Sequence, residues 1–157
     1  MARAASRGAA DRFEQEQAAF FERIRAGYLA RAAADPARAI SFQGAPGCNG
    51  HRAALECDPD CLPLPCFSFE DALEAVKDGR ADRAIIPIEN SQHGRVADIH
   101  FLLPESGLHI IGEYFMPIHF QLMVLPGVAR SEIKTVHSHI HALGQCRKYI
   151  RKNGWKG

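Results

Sequence analysis

Ile85-Ile86-Pro87-Ile88-Glu89-Asn90-Ser91-Gln92-His93-Gly94 is the stretch on which the reading of this chain turns. An apolar run stops abruptly and delivers a carboxylate, a carboxamide and a hydroxyl, with a glycine close behind. That is the pattern of a buried strand whose C-terminal end opens into a ligand pocket. In open α/β sheets, ligands bind outside the carboxyl ends of the strands. Two other segments repeat the design. Ile40-Ser41-Phe42-Gln43-Gly44-Ala45-Pro46-Gly47 passes from strand to glycine turn, and Ile133-Lys134-Thr135-Val136-His137-Ser138-His139 passes from strand to polar helix start. Three strand ends of this kind point to one shared site.

Outward from these segments the pattern alternates between strand and helix. The spacing predicts a strand over 39–43, a helix over about 50–57 and an extended piece over 62–66. Ser68 reads as an N-cap with Asp71 at the third helical position, opening a helix that runs to Lys77 before Gly79 stops it. A strand over about 82–88, a helix over about 95–103 and a loop over 104–107 follow. Residues 108–125 read as β-rich with a break at Pro117, and Ser131 as the cap of a short turn. A strand over 133–137 then feeds a helix over about 139–152. Ahead of all this, Phe13, Phe20, Phe21, Ile24, Tyr28 and Leu29 fall near one face of a helix over 12–34, which Asp35-Pro36 ends. Strands alternating with helices predict an α/β layered fold with a mainly parallel sheet.

At 157 residues the chain has room for one ordinary domain with a core, and 46% hydrophobic with 24% charged content is that of a globular protein. A formal net charge of +1 gives no electrostatic drive toward nucleic acid or an anionic membrane. No apolar segment is long enough to span a bilayer, and no signal-peptide core stands near the start. Met1 to Arg12, rich in Ala, Arg and Ser, reads as a disordered leader. Five cysteines without a secretion signal read as reduced thiols of a cytoplasmic protein. Cys57, Cys61 and Cys66 lack paired Cys-x-x-Cys knuckles, and a helix beginning near His139 would scatter His137, His139 and His141, so no metal site is expected.

Three constellations carry candidate chemistry. Gly44 and Gly47, ahead of a helix, let the backbone approach a ligand and leave helix-start amides for an anion, in a spacing that is not the dinucleotide fingerprint. Glu89, Asn90 and Ser91 can orient a polar substrate and hold a leaving hydroxyl; they can equally cap a helix start. Ser138 reads as a helix cap and ligand contact, with Gln145 about two turns further along the same helix.

In order and spacing, several of these pieces resemble the catalytic domain of prephenate dehydratase, over residues from about Ala39 to Gly157. They are Phe42-Gln43-Gly44-Ala45-Pro46-Gly47, the acidic helix after Pro65-Cys66, and Ile86-Pro87-Ile88-Glu89-Asn90-Ser91. Gly94-Arg95-Val96, Leu102-Leu103, Pro117-Ile118 and Ser138-His139 through Ala142-Leu143-Gly144-Gln145-Cys146 continue the series. The resemblance implies a two-lobed, periplasmic-binding-protein-like α/β fold with helices on both sheet faces and the site in the cleft between lobes. It implies a cytoplasmic lyase of phenylalanine biosynthesis that takes prephenate to phenylpyruvate, water and carbon dioxide without a cofactor. It also implies a site in which Glu89, Asn90 and Gln145 are catalytic and Gly44, Gly47, Ser91, Gly94, Ser138 and His139 bind substrate.

Members of that family carry a Thr-Arg-Phe tripeptide late in the catalytic domain and a regulatory ACT domain beyond it. Neither occurs in this sequence, whose only threonine is Thr135. Gly50 stands where relatives commonly place a serine or threonine. The expectation is a leader and helix over 1–38, followed by a partial catalytic domain over 39–157 with an incomplete second lobe. Such a chain is expected to be inactive alone and able to pair with a second copy. The alternative is a non-catalytic module that binds small carboxylates.

Overall fold

The computed structural model describes residues 12–92 and 94–157, so the expected leader and His93 lie outside the described residues. The described chain divides into two compact units. One holds residues 12–87 with 97–114, and the other holds 88–96 with 115–157.

In the first unit a three-stranded parallel sheet has the order β2-β1-β3, with β1 at Ala39–Gln43, β2 at Leu62–Cys66 and β3 at Arg83–Ala84. Parallel neighbours need long crossovers, which helices α2 (Asn49–Cys57) and α3 (Phe69–Lys77) provide. Successive side chains of β1 point to opposite faces, and all but Gln43 are buried. Ala39 joins Leu64, Cys66, Ala72 and Ala75 on the α3 side, where Ser41 Oγ donates to the Ala72 carbonyl at 2.7 Å. Ile40 joins Ala54 and Cys61 on the α2 side, where the Phe42 ring stacks on His51. The mixed α/β class and the parallel sheet expected from the alternation are therefore present, with a helix on each face.

β2 is an edge strand, and its sequence allows it to be one. The Gly44 N–H donates to the Cys66 carbonyl at 2.9 Å, so Cys66 and, by alternation, Leu64 and Leu62 turn their backbone groups toward β1. Pro63 and Pro65 take the outward positions, where a missing N–H breaks no ladder bond. The outward carbonyl of Pro65 accepts from Arg25 Nη2 at 3.2 Å. Arg25 belongs to α1 (Arg12–Ala34), the helix that covers this edge. Its contact face is made by Arg25, Tyr28 and Ala32, while Phe20, Phe21 and Leu29 are exposed, unlike the phenylalanine face the periodicity predicts.

The Ser68 cap is as expected: its Oγ accepts from the Asp71 N–H at 3.0 Å, and Asp71 Oδ2 accepts from the Phe67 N–H. Helix α4 spans Ala97–Ser106, running through Pro104 where a loop was expected. Its end is closed by Ser106 Oγ, which donates to the Leu103 carbonyl at 2.7 Å and accepts from the Leu108 N–H.

Three strand expectations fail for one reason, the need for a neighbouring ladder. The strand over 82–88 is paired only at Arg83–Ala84, flanked by bonds from the Asp82 N–H to the Ala39 carbonyl and from the Ile85 N–H to the Ser41 carbonyl. Ile85 and Ile86 still pack toward opposite faces of the sheet, but Pro87 offers no N–H and the unit ends there. Residues 108–125 form no strand, and Ile111, Phe115 and Met123 are at least 80% exposed. The strand over 133–137 reduces to a single parallel bridge between Thr135 and Lys156.

In the second unit, β4 (Glu89–Asn90) and β5 (Gly94–Arg95) form a short antiparallel hairpin, and α5 (Ile140–Lys152) is its one long helix among the described residues. Ser131 lies within a 3-10 turn, Arg130–Glu132, that is tied by the Ala129 N–H to Glu132 Oε2 instead of by the serine. No described helix is long and apolar enough to cross a membrane.

Candidate functional site

Each unit carries one part of the expected constellation. In the second unit the polar triad does not ride on the strand that precedes it. Glu89 pairs with Arg95 and Asn90 with Gly94 across the hairpin. Asn90 Oδ1 accepts from the Gln92 N–H at 2.9 Å, a side-chain turn that sets the bend, and Gly94 has φ +79°, which a residue with a Cβ adopts only under strain. Ser91 lies exposed in the bend.

Asn90 Nδ2 donates to Gln145 Oε1 at 3.4 Å, across 55 residues of sequence. The pair is half-buried. With its oxygen engaged, Gln145 presents its amide nitrogen as a donor, suited to a carboxylate or a hydroxyl. Helix α5, which carries Gln145, begins one residue later than the Ser138 cap implies. The His139 carbonyl accepts its first bond, from the Leu143 N–H at 3.0 Å, so His139 takes the capping position and Ser138 lies just outside. Both are exposed. The far end of α5 is fixed by Gly154 at φ +70°, with the Trp155 N–H bonded to the Ile150 carbonyl and the Gly154 N–H to that of Arg151.

In the first unit the glycine loop leaves β1 with Gly44 at φ +118° and Gly47 at φ +92°. Two of its amides are already committed. Gly44 donates to Cys66, and the Gly47 N–H donates to His51 Nδ1 at 2.8 Å. Helix α2 starts at Asn49 behind Cys48, which makes no side-chain cap, so its first-turn amides have no capping side chain to accept from them. Gly50 has its own reason to be glycine: a Cβ there would lie 3.2 Å from the Phe42 ring.

His51 is the residue that the sequence reading missed. Its imidazole is 9% exposed, stacked on Phe42 at 5.6 Å and met edge-on by Tyr28 at 5.1 Å. Burial, reinforced by the Arg31 charge, holds its pKa below the usual 6.5. The available signal was its position three residues before the core residue Ala54 and four after Gly47.

Among the described residues no three His, Cys, Asp or Glu side chains converge to hold a metal. The thiols are divided by the sheet: Cys61 packs on the α2 face, Cys66 on the α3 face, and Cys57 is exposed. Burial pushes the Cys66 thiol up to about 11.

Comparison with known proteins bears on what these parts are for. The family model of prephenate dehydratase matches residues 40–156. This chain belongs to the prephenate dehydratase family. A bifunctional N-acyl-homoserine lactone acylase/prephenate dehydratase from Komagataeibacter europaeus is 42% identical over 117 residues, 74% of this chain and 42% of that protein. Arogenate dehydratase 1 of Petunia hybrida is 42% identical over 115 residues, 73% of this chain and 27% of its own length. The solved structure of GqqA, described as a novel type of quorum quenching acylase, superposes with a TM-score of 0.60 at 41% identity, over 76% of this chain and 44% of that one. The chain thus spans less than half the length of each of these relatives. The family match covers the glycine loop, the hairpin and α5, and begins after α1.

Proposed function

We propose that this chain contributes to a decarboxylating dehydration of a cyclohexadienol dicarboxylate, with prephenate as the substrate and arogenate, its amino counterpart, as the nearest competitor. The family supports the reaction class, and one contact in the structure supports the site: the hydrogen bond from Asn90 to Gln145. It brings the Glu89-Asn90-Ser91 segment and the α5 segment together within a single unit.

In this reaction the ring carboxylate departs as carbon dioxide. Its electron pair crosses the diene, and the ring hydroxyl leaves with a proton as water. Aromatisation drives the step, so the protein's work is to bind and orient two carboxylates, exclude water and assist the hydroxyl. In this reading the Gln145 amide and Asn90 orient the substrate, and Glu89 handles the proton of the departing hydroxyl. Ser91, Gly94, Ser138 and His139 shape the carboxylate contacts in the second unit. In the first unit, the glycine loop at Gly44 and Gly47, with the first-turn amides of α2, is suited by itself to a carboxylate. In this reading the catalytic segment is residues 39–157, following the leader and α1. The reaction belongs to aromatic amino-acid biosynthesis and is placed in the cytoplasm.

A second reading, a small-carboxylate binding module, draws on Thr135. It is the only threonine in the sequence, and its backbone is bridged to Lys156. Purified chain is incubated with prephenate and, separately, arogenate, following phenylpyruvate and phenylalanine. Calorimetric titration with the same compounds runs alongside. Turnover that Gln145→Ala removes supports the dehydratase reading, and saturable binding without turnover supports the module. Neither binding nor turnover at millimolar ligand rejects both. Because one relative bears an acylase name, an N-acyl-homoserine lactone is included; hydrolysis of that compound alone would overturn the dehydratase assignment.

A further inference from the structure

The Gly47 amide bonds to an imidazole, and a bond of that kind fixes a protonation state. Because Nδ1 accepts at 2.8 Å it carries the lone pair, so the ring proton resides on Nε2. Nε2 is fully buried with no hydrogen-bond partner among the described residues. A protonated ring would turn Nδ1 into a second donor aimed at the Gly47 donor, and would place a charge among aromatic rings.

We infer that His51 is a positioning residue for the glycine loop: its neutral ring, clasped between Phe42 and Tyr28, holds the Gly47 amide, and protonation releases the loop. The groups that bear on the ring are few. From α1 come Tyr28 and Arg31, the guanidinium of Arg31 lying 4.5 Å over the Tyr28 ring. From β1 comes Phe42, without charge. From its own helix comes the positive end of the first turn, since His51 is the third residue of α2. Arg52, the next residue, is paired with Glu56 at 3.0 Å. Arg31 and the helix start oppose the imidazolium, and the one carboxylate in this set, Glu56, is engaged by Arg52 and Tyr114, so the loop stays closed at neutral pH and opens in acid. Tyr28 and Arg31 lie on α1, outside the residues matched to the family, so α1 sets the point at which a family loop lets go.

The consequence for substrate rests on the proposed role of the loop; the release itself is read without any ligand. Nuclear magnetic resonance on the full chain, from about pH 8 to about pH 5, follows the His51 ring nitrogens and the Gly47 amide together. The expected result is the Nε2–H tautomer at the upper end and a His51 midpoint below 6.5. The Gly47 amide should shift with that same midpoint and exchange at least about tenfold faster in acid once the intrinsic rate is divided out. Arg31→Gln should raise both midpoints together. His51→Gln, whose carbonyl can accept the Gly47 N–H but cannot titrate, should keep that amide protected at both ends of the range. His51→Leu should lose protection throughout while β1 amides stay protected. An Nδ1–H tautomer, a Gly47 amide indifferent to the His51 titration, or unchanged protection in His51→Leu would overturn the inference. If the loop titrates as described but prephenate binding ignores it, the release stands and the substrate role of the loop falls.

Discussion

Gly50 shows how a single hydrogen can decide a helix start. Glycine in a helix is worse than alanine by about 0.5–1 kcal/mol, so propensity alone favours replacing it. A Cβ at this position would press on the Phe42 ring at 3.2 Å and on the Phe42 Cβ at 3.3 Å, and Phe42 is 0% exposed with nowhere to move. Overpacking of this kind costs about 1–3 kcal/mol, so the packing term wins. Gly50→Ala is expected to lower stability, read as a lower urea midpoint with an unchanged slope. The cysteines give a second check at this scale. Cys57 is exposed, whereas Cys61 and Cys66 are buried on opposite sheet faces, with the Cys66 thiol raised to about 11. In native protein at neutral pH, a thiol reagent should modify Cys57 and leave Cys61 and Cys66 unreacted until denaturant is added. Rapid labelling of Cys66 would contradict the packing described.

At the scale of elements, α3 was readable to its first and last residue because its signals are local. Ser68 and Asp71 close the start, Lys77 stands in the last turn, and Gly79, at φ +72°, takes the conformation that ends it. Ser68→Ala removes the acceptor for the Asp71 N–H and should cost about 1 kcal/mol; Ser68→Asp, which keeps an acceptor, should recover most of it. Chemical denaturation of the three proteins decides this. The strands divide differently. β1 and β2 were legible because apolar runs of strand length are bounded by turn residues; that Pro63 and Pro65 take alternate outward positions is set by the register with β1. The segments at 108–125 and 133–137 have similar composition but almost no ladder, and composition does not carry the identity of a neighbour.

Across the first unit, Asp58, His51 and Cys66 each contribute to the pH dependence of stability. Asp58 is held below the usual carboxylate range by its bond to Arg83 at 2.7 Å, and His51 below 6.5 by burial. Both are depressed on folding, so the unfolded chain binds more protons and stability is lost as pH falls. For His51 the loss begins near 6.5 and continues down through its folded value; for Asp58 it comes below 3.8. Cys66 is raised, so its contribution is lost as pH climbs from 9.0 toward about 11. Stability of this unit should therefore be flat from about pH 7 to about pH 9 and decline on either side. Hydrogen exchange at β1 amides measures it, because Trp155, the single tryptophan, belongs to the other unit. A maximum in acid would refute this assignment of charges.

What the sequence determined by itself was whatever depends on short spacing. That covers the helix of 12–34, β1, β2, α3 and the α/β class. It also covers the motifs at Gly44–Gly47, Glu89-Asn90-Ser91 and Gln145 that mark the family, because caps, turn residues and periodicity act within a few residues. Tertiary structure alone decided the rest. It parted the polar triad from its strand after Pro87, since an antiparallel partner at Gly94–Arg95 captured Glu89–Asn90. It joined Asn90 to Gln145 and sealed the histidine that holds the Gly47 amide with a tyrosine from α1. Those contacts depend on which surfaces meet once the chain has folded. Hydrogen-bond partners distant in sequence leave no periodic trace along it.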